Sequence, residues 1–184
     1  MTLLELCAAD KVGRYLTDKQ TGHRYFTIYD PFFKPFKHKP VGVFEVGTQY
    51  GGSAALWDDY FDHPDTRIRS IDIVGTPEAY SRVYTNRLRL DIIDANDLTP
   101  DYFKDFPVDI AIDDGSHALG EQVAFVKLLH PIVREGGLLI VEDVKFDALA
   151  DTTEAMKALG HPFFIVNLNQ LNDWWDNILF VFMK

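Results

Sequence analysis

Short apolar runs recur along the chain, each bounded by turn-forming residues and separated by stretches with helical spacing. Runs of this length read as strands buried on both faces, and the intervening stretches as helices that cover them. The pattern predicts strands at Val41–Val46, Arg67–Ile73, Leu88–Ile93, Val108–Ile112 and Leu138–Val141. It predicts helices at residues 2–9, at Ala54–Phe61, from Pro77 towards Asn86, at Ala118–Leu129 with Ser116 as cap, and at Phe146–Leu159 closed by Gly160. Pro131 and Gly136-Gly137 end the Ala118 helix and turn into the next strand. Strand and helix alternate five times. Two last runs, Phe163–Leu168 and Ile178–Met183, follow with no room for a helix between them. A parallel pair needs a long crossover, so the final strand is expected to run antiparallel. The fold class is therefore α/β, a Rossmann-like seven-stranded sheet that is mostly parallel with an antiparallel last strand, in a single domain.

Residues 11–39 break this rhythm. They carry Tyr25, Phe26, Tyr29, Phe32, Phe33 and Phe36, interrupted by Pro31 and Pro35. Prolines this close argue against one long regular element. The segment reads as an N-terminal arm (residues 1–40) that packs on the core and also walls or lids a site.

In an open parallel sheet, ligands bind at the carboxyl ends of the strands. Two strands here end in acids. Val108–Ile112 runs into Asp113-Asp114-Gly115-Ser116-His117, and Leu138–Val141 into Glu142-Asp143. Clustered carboxylates repel one another without a counterion, an independent reason to expect a cation. Val41–Val46 runs into Gly47-Thr-Gln-Tyr-Gly51-Gly-Ser53 and then a helix, the cofactor-binding opening of a doubly wound fold. Asp72 stands at the end of the second strand, 25 residues beyond Gly47. The spacing Gly47-x-x-x-Gly51-Gly52 does not match the G-x-G-x-x-G dinucleotide fingerprint, which weighs against the rival reading as a nicotinamide-dependent oxidoreductase.

Composition narrows the partners. The net charge of −10 argues against nucleic acid or an anionic membrane, both of which need a basic footprint. One cysteine, Cys7, excludes an internal disulfide and a cysteine-based zinc site. The start of the chain lacks a basic segment before an apolar run, and no apolar run approaches the length of a membrane span. A cytoplasmic protein is expected, and a homo-oligomer is compatible with these features.

With Phe44-Glu-Val-Gly47, Gly51-Gly-Ser53, Asp72, Asp94 and the reversed last strand, the sequence resembles a class I S-adenosylmethionine-dependent methyltransferase. The pairing of Ile112–His117 with Gly136–Asp143, together with Thr17-Asp18-Lys19 and His23-x-Tyr25, is more specific. It resembles the metal-dependent sugar O-methyltransferases of macrolide biosynthesis, the mycinamicin and macrocin type, with the cephalosporin hydroxylase-like group as a cousin. The chain is expected to lack the separate N-terminal domain of the macrolide enzymes, so the resemblance bears on chemistry more than on substrate.

The resemblance implies S-adenosylmethionine bound by Glu45, Gly47, Thr48, Gly51, Ser53, Asp72, Asp94, Ala95 and Asp113. It places a divalent metal on Asp114, Glu142 and Asp143, with His117 as general base; all-oxygen ligands favour Mg²⁺. A hydroxyl of a sugar or glycosylated small molecule is the implied acceptor. Tyr25 and Tyr29 in the arm, and Trp174 and Trp175 before the last strand, are candidates to contact it. A methyltransferase-like module that binds without turning over is the non-enzymatic rival.

Overall fold

A computed structural model describes residues 1–83, 85–171 and 174–184. The elements in chain order are α1 (Leu3–Ala9), α2 (Asp18–Thr21), α3 (Phe26–Phe33), β1 (Gly42–Val46), α4 (Gly52–Tyr60), β2 (Arg67–Asp72), α5 (Pro77–Ser81), β3 (Leu88–Ile92), β4 (Ile110–Asp113), α6 (Leu119–Ile132), β5 (Leu138–Val141), α7 (Leu149–Lys157), β6 (Phe163–Asn167) and β7 (Ile178–Met183). The seven strands form one sheet in the order β3-β2-β1-β4-β5-β7-β6. β7 is antiparallel to both of its neighbours, and the other pairs are parallel. The expected reversed last strand is present. Among the described residues, no helix is long and apolar enough to cross a membrane.

Side chains alternate between the two faces of each strand, and β1 shows what this does. Val43 joins a core on one face with Ile68, Ile110, Ile140 and Val181, while Phe44 and Val46 join a second core with Ile71, Ala111, Leu139 and Phe180. Helices α6 and α7 cover the second face through Phe125, Val126, Leu129 and Met156. The first face is covered by α4 and by the N-terminal arm. Tyr25, Phe26, Tyr29 and Phe33 are fully buried there. Trp57 of α4 is the pivot, meeting Phe26, Tyr29 and Phe33 edge-on at ring separations of 6.3, 5.9 and 5.5 Å. The arm is thus a layer of the core.

Four local expectations differ from the structure. The β3–β4 crossover holds only 3₁₀ turns at Ala95–Asp97 and Pro100–Phe103, so the strand–helix alternation lapses once. Prolines 100 and 107 leave no uninterrupted helical stretch there. Helix α5 stops at Ser81 instead of reaching towards Asn86. Ser116 does not cap α6, because His117 takes a left-handed conformation (φ 58°) between them and Ala118 becomes the cap residue. Helix α6 runs on past its expected end, through Pro131 to Ile132.

Trp57→Ala is expected to cost about 3–5 kcal/mol, as for other large aromatic-to-alanine changes in a packed core. Urea denaturation followed by circular dichroism checks this. A loss below about 1 kcal/mol would mean that the arm and α4 are not jointly packed.

Candidate active site

The strand order reverses between β1 and β4, and this switch point is where an open α/β sheet leaves a crevice at its carboxyl ends. A cavity of about 390 Å³ opens there. Gly47, Asp72, Asp94, Ala95, Asp114, His117 and Asp143 all line it, with Asp18 and Gln49. Gly47 has φ 97°, and a Cβ on it would lie 1.9 Å from the carbonyl oxygen of Asp114. Only glycine lets the β1 and β4 turns come this close. Asp72 accepts hydrogen bonds from the backbone N–H groups of Gln49 (2.8 Å) and Val74 (3.0 Å), which fix its carboxylate at the rim. Asp94 is held in the same way by the N–H of Asn96 at 2.8 Å.

Several residues expected at the cofactor do not line this cavity. Glu45 points to the opposite face of β1 from Val46 and is fully buried. It accepts from Ser53 Oγ (2.8 Å) and Trp57 Nε1 (3.2 Å), and burial pushes its carboxyl up to about 7. Thr48 pairs with Ser70 at 2.7 Å inside the fold. Gly51 caps α4 in a left-handed conformation beside Ala79. Glu45, Thr48, Gly51 and Ser53 therefore shape the turn and do not line the cavity. Asp113 faces a smaller adjoining cavity of about 150 Å³. Its Oδ1 accepts from the Gly115 N–H at 3.3 Å, its Oδ2 is buried without a hydrogen bond, and burial pushes the group up to about 7.

At the tips of β4 and β5 the acids converge on a lysine. The Lys19 ammonium, fully buried, lies 2.5 Å from Asp114 Oδ2, 2.6 Å from Glu142 Oε2 and 3.7 Å from Glu45 Oε1. Burial opposes its charge, but Asp114, Glu142 and Glu45 more than reverse this and hold its pKa well above the usual lysine value. Tyr29 donates to the other oxygen of Glu142, and Tyr25 donates to Asp143 Oδ1 at 2.5 Å. Asp114, His117 and Asp143 each offer a ligand atom within 4.8 Å of the others, a spacing one metal ion can bridge. His117 Nε2 lies 3.6 Å from Asp143 Oδ2. Glu142, expected as a third metal ligand, is instead placed behind this group, with its two oxygens on Lys19 and Tyr29. His117 (φ 58°), Asp143 (φ 54°) and Gln49 (φ 45°) are all left-handed, and strained backbone of this kind concentrates at functional sites.

The tyrosines and tryptophans expected as substrate contacts do not line the cavity. Tyr25 and Tyr29 are fully buried and spend their hydroxyls on the site acids. Trp174 meets His23 edge-on at 4.5 Å and packs over Gly22, and Trp175 is largely exposed with Lys145 5.2 Å from its ring. Neither tryptophan lines the cavity. From sequence Lys19 stands out only as part of Thr17-Asp18-Lys19, with no role of its own. A lysine amid aromatics, after a capping threonine, was the available signal.

The donor set fits a hard divalent cation. Glu142 is raised well above the usual carboxylate range, and Asp143 is pushed up to about 8, in both cases by burial first, with repulsion from Asp114 adding to it. Acids disfavoured in this way by burial and by one another gain from a cation set beside them.

Sheet order and switch-point cavity together define a class I methyltransferase fold. Within that class the chain is a sequence relative of antibiotic sugar O-methyltransferases. It is 35% identical over 143 residues to 8-demethyl-8-(2-methoxy-alpha-L-rhamnosyl)-tetracenomycin-C 3'-O-methyltransferase of Streptomyces olivaceus, covering 72% of this chain and 35% of that one. It is 33% identical over 160 residues to demethylmacrocin O-methyltransferase of Streptomyces fradiae, covering 78% and 39%. The chain thus spans little more than a third of these relatives' length. Among solved structures, the MycE methyltransferase from the mycinamycin biosynthetic pathway, in complex with Mg, SAH and mycinamycin VI, superposes with a TM-score of 0.73 at 24% identity, over 100% of this chain and 54% of that one. No family model matches the chain.

The raised Asp143 has a consequence for pH. Between the ordinary aspartate value and about 8, the folded protein holds a proton that the unfolded chain has lost. Stability without a divalent cation should therefore fall as pH rises through this window. Melting temperatures at about pH 5.5 and pH 8.0 in EDTA should differ by a few degrees in favour of the lower pH, and Mg²⁺ should narrow the gap. A gap that Mg²⁺ leaves unchanged would place the cation elsewhere.

Proposed function

We propose that the chain carries an S-adenosylmethionine- and Mg²⁺-dependent O-methyltransferase activity directed at a hydroxyl of a sugar or a glycosylated small molecule. The observation that carries this reading is that Asp114, His117 and Asp143 converge on the same cavity as Gly47, Asp72, Asp94 and Ala95. Acid–base groups and the switch-point crevice thereby share one space. The kinship with sugar O-methyltransferases supports the same reaction class.

When bound, the sulfonium cofactor supplies the methyl group and the divalent cation makes an acceptor hydroxyl more acidic. Asp72 is placed to accept from ribose hydroxyls, with both its oxygens already oriented by backbone N–H groups. Gly47 leaves backbone room beside it, and Asp94 with Ala95 borders the base. Asp114 and Asp143 are the residues that would hold the metal, with Glu142 behind them. His117 Nε2, at the cavity wall, takes the acceptor's proton. The Asp143 carboxylate, 3.6 Å from this nitrogen, favours by its charge the imidazolium that results.

His117→Ala should lower turnover on the order of 10²–10⁴-fold, the usual contribution of a general base, with S-adenosylmethionine affinity retained. Excess EDTA should abolish turnover and leave cofactor binding measurable by calorimetry. Asp72→Ala should weaken cofactor binding on the order of tenfold or more. An enzyme that turns over a panel of glycosides in EDTA at its full rate would remove the metal from the mechanism. NAD binding in place of S-adenosylmethionine would replace the whole reading with the oxidoreductase one.

A further inference from the structure

We propose that Lys19 is a resident counter-ion of the acid cluster, a positioning residue whose ammonium holds Asp114 and Glu142 in place and competes with the divalent cation for their charge. The inference rests on the reading of the acid cluster as a metal site. Three carboxylates face the one ammonium: Asp114 at 2.5 Å, Glu142 at 2.6 Å and Glu45 at 3.7 Å. Two of the ammonium's three donors are hydrogen-bonded, to Asp114 and Glu142, and Glu45 adds its charge at ion-pair distance. Its side chain is buried, and no solvent can stand in for it.

Asp114 is the shared member. One of its oxygens bonds Lys19, and the same residue belongs to the group with His117 and Asp143 whose ligand atoms lie within 4.8 Å of one another. A divalent ion held by Asp114 and Asp143 would draw on the carboxylate that the ammonium already pairs with, setting two positive charges on one acid. Lys19 also takes one oxygen of Glu142, while Tyr29 takes the other, so the arm rations how much negative charge the cavity presents. The acids stay assembled without metal, at the cost of weaker metal binding. A lysine that only braced the fold would leave cation affinity unchanged when replaced by a neutral chain of similar length.

The test measures Mn²⁺ binding by calorimetry, and the rise in melting temperature that Mn²⁺ causes, on the full chain. Lys19→Met should bind Mn²⁺ on the order of tenfold or more tighter than wild type and gain more thermal stability from it, because a like charge in a poorly screened site is gone. Lys19→Arg keeps the charge and should stay close to wild type. A Lys19→Met protein that folds only when Mn²⁺ is supplied supports the same conclusion. Affinity no tighter than wild type, equal tightening in Lys19→Arg, or a Lys19→Met chain that stays unfolded with Mn²⁺ would each overturn it. Wild type that ignores Mn²⁺ while Lys19→Met binds it would sink the metal reading of the native site and leave Lys19 as its resident cation. Absence of binding in both would sink the two together.

Discussion

The structure depends on one buried ammonium among acids. Lys19 comes from a short helix near the N-terminus, while Asp114 and Glu142 come from the tips of two central strands. An ion pair taken out of water carries a large desolvation penalty and stabilises little against an apolar equivalent, but losing one partner leaves charge stranded. Such a contact specifies a unique arrangement more than it adds stability. Here it fixes where the arm docks on the sheet, and Tyr25 and Tyr29 extend it to Asp143 and Glu142.

The second determinant is the close approach of β1 and β4 at the switch point. The N–H of Asp114 donates to the Val46 carbonyl at 2.9 Å, and the Gly47 backbone lies against the Asp114 carbonyl with no space for a side chain. The cofactor turn and the acidic turn are therefore one packed unit. A change in either one moves the other, and under the proposed function this would couple a bound cofactor to the acids.

Much of this was legible in the sequence because it is local. Buried strands announce themselves as apolar runs, and Asp114, Glu142 and Asp143 follow their strands directly, so their place at one sheet edge follows from the alternation of elements. The reversed β7 was readable from the short connection before it. What escaped was set by contacts distant along the chain. Lys19 meets acids 95 and 123 residues away, and no periodicity encodes that. Glu45 sits one position before Val46, and a shift of one residue along a strand decides whether a side chain faces the cavity or the opposite core. The failure of Ser116 as a cap came from a left-handed His117, a conformation that tertiary packing imposes against local preference.

The aromatic arm was expected to double as a lid. Its rings are core residues around Trp57, and its hydroxyls and ammonium are tied to the acids, so swinging it aside would strip the sheet of a hydrophobic layer and leave several carboxylates bare at once. The cavity residues Gln49, Ile73 and Asn96 are exposed, so the solvent side of the site lies with them and not with the arm. The molecule has, in effect, a fixed back wall and an open front porch, and differences in acceptor choice between related chains would be sought in the porch.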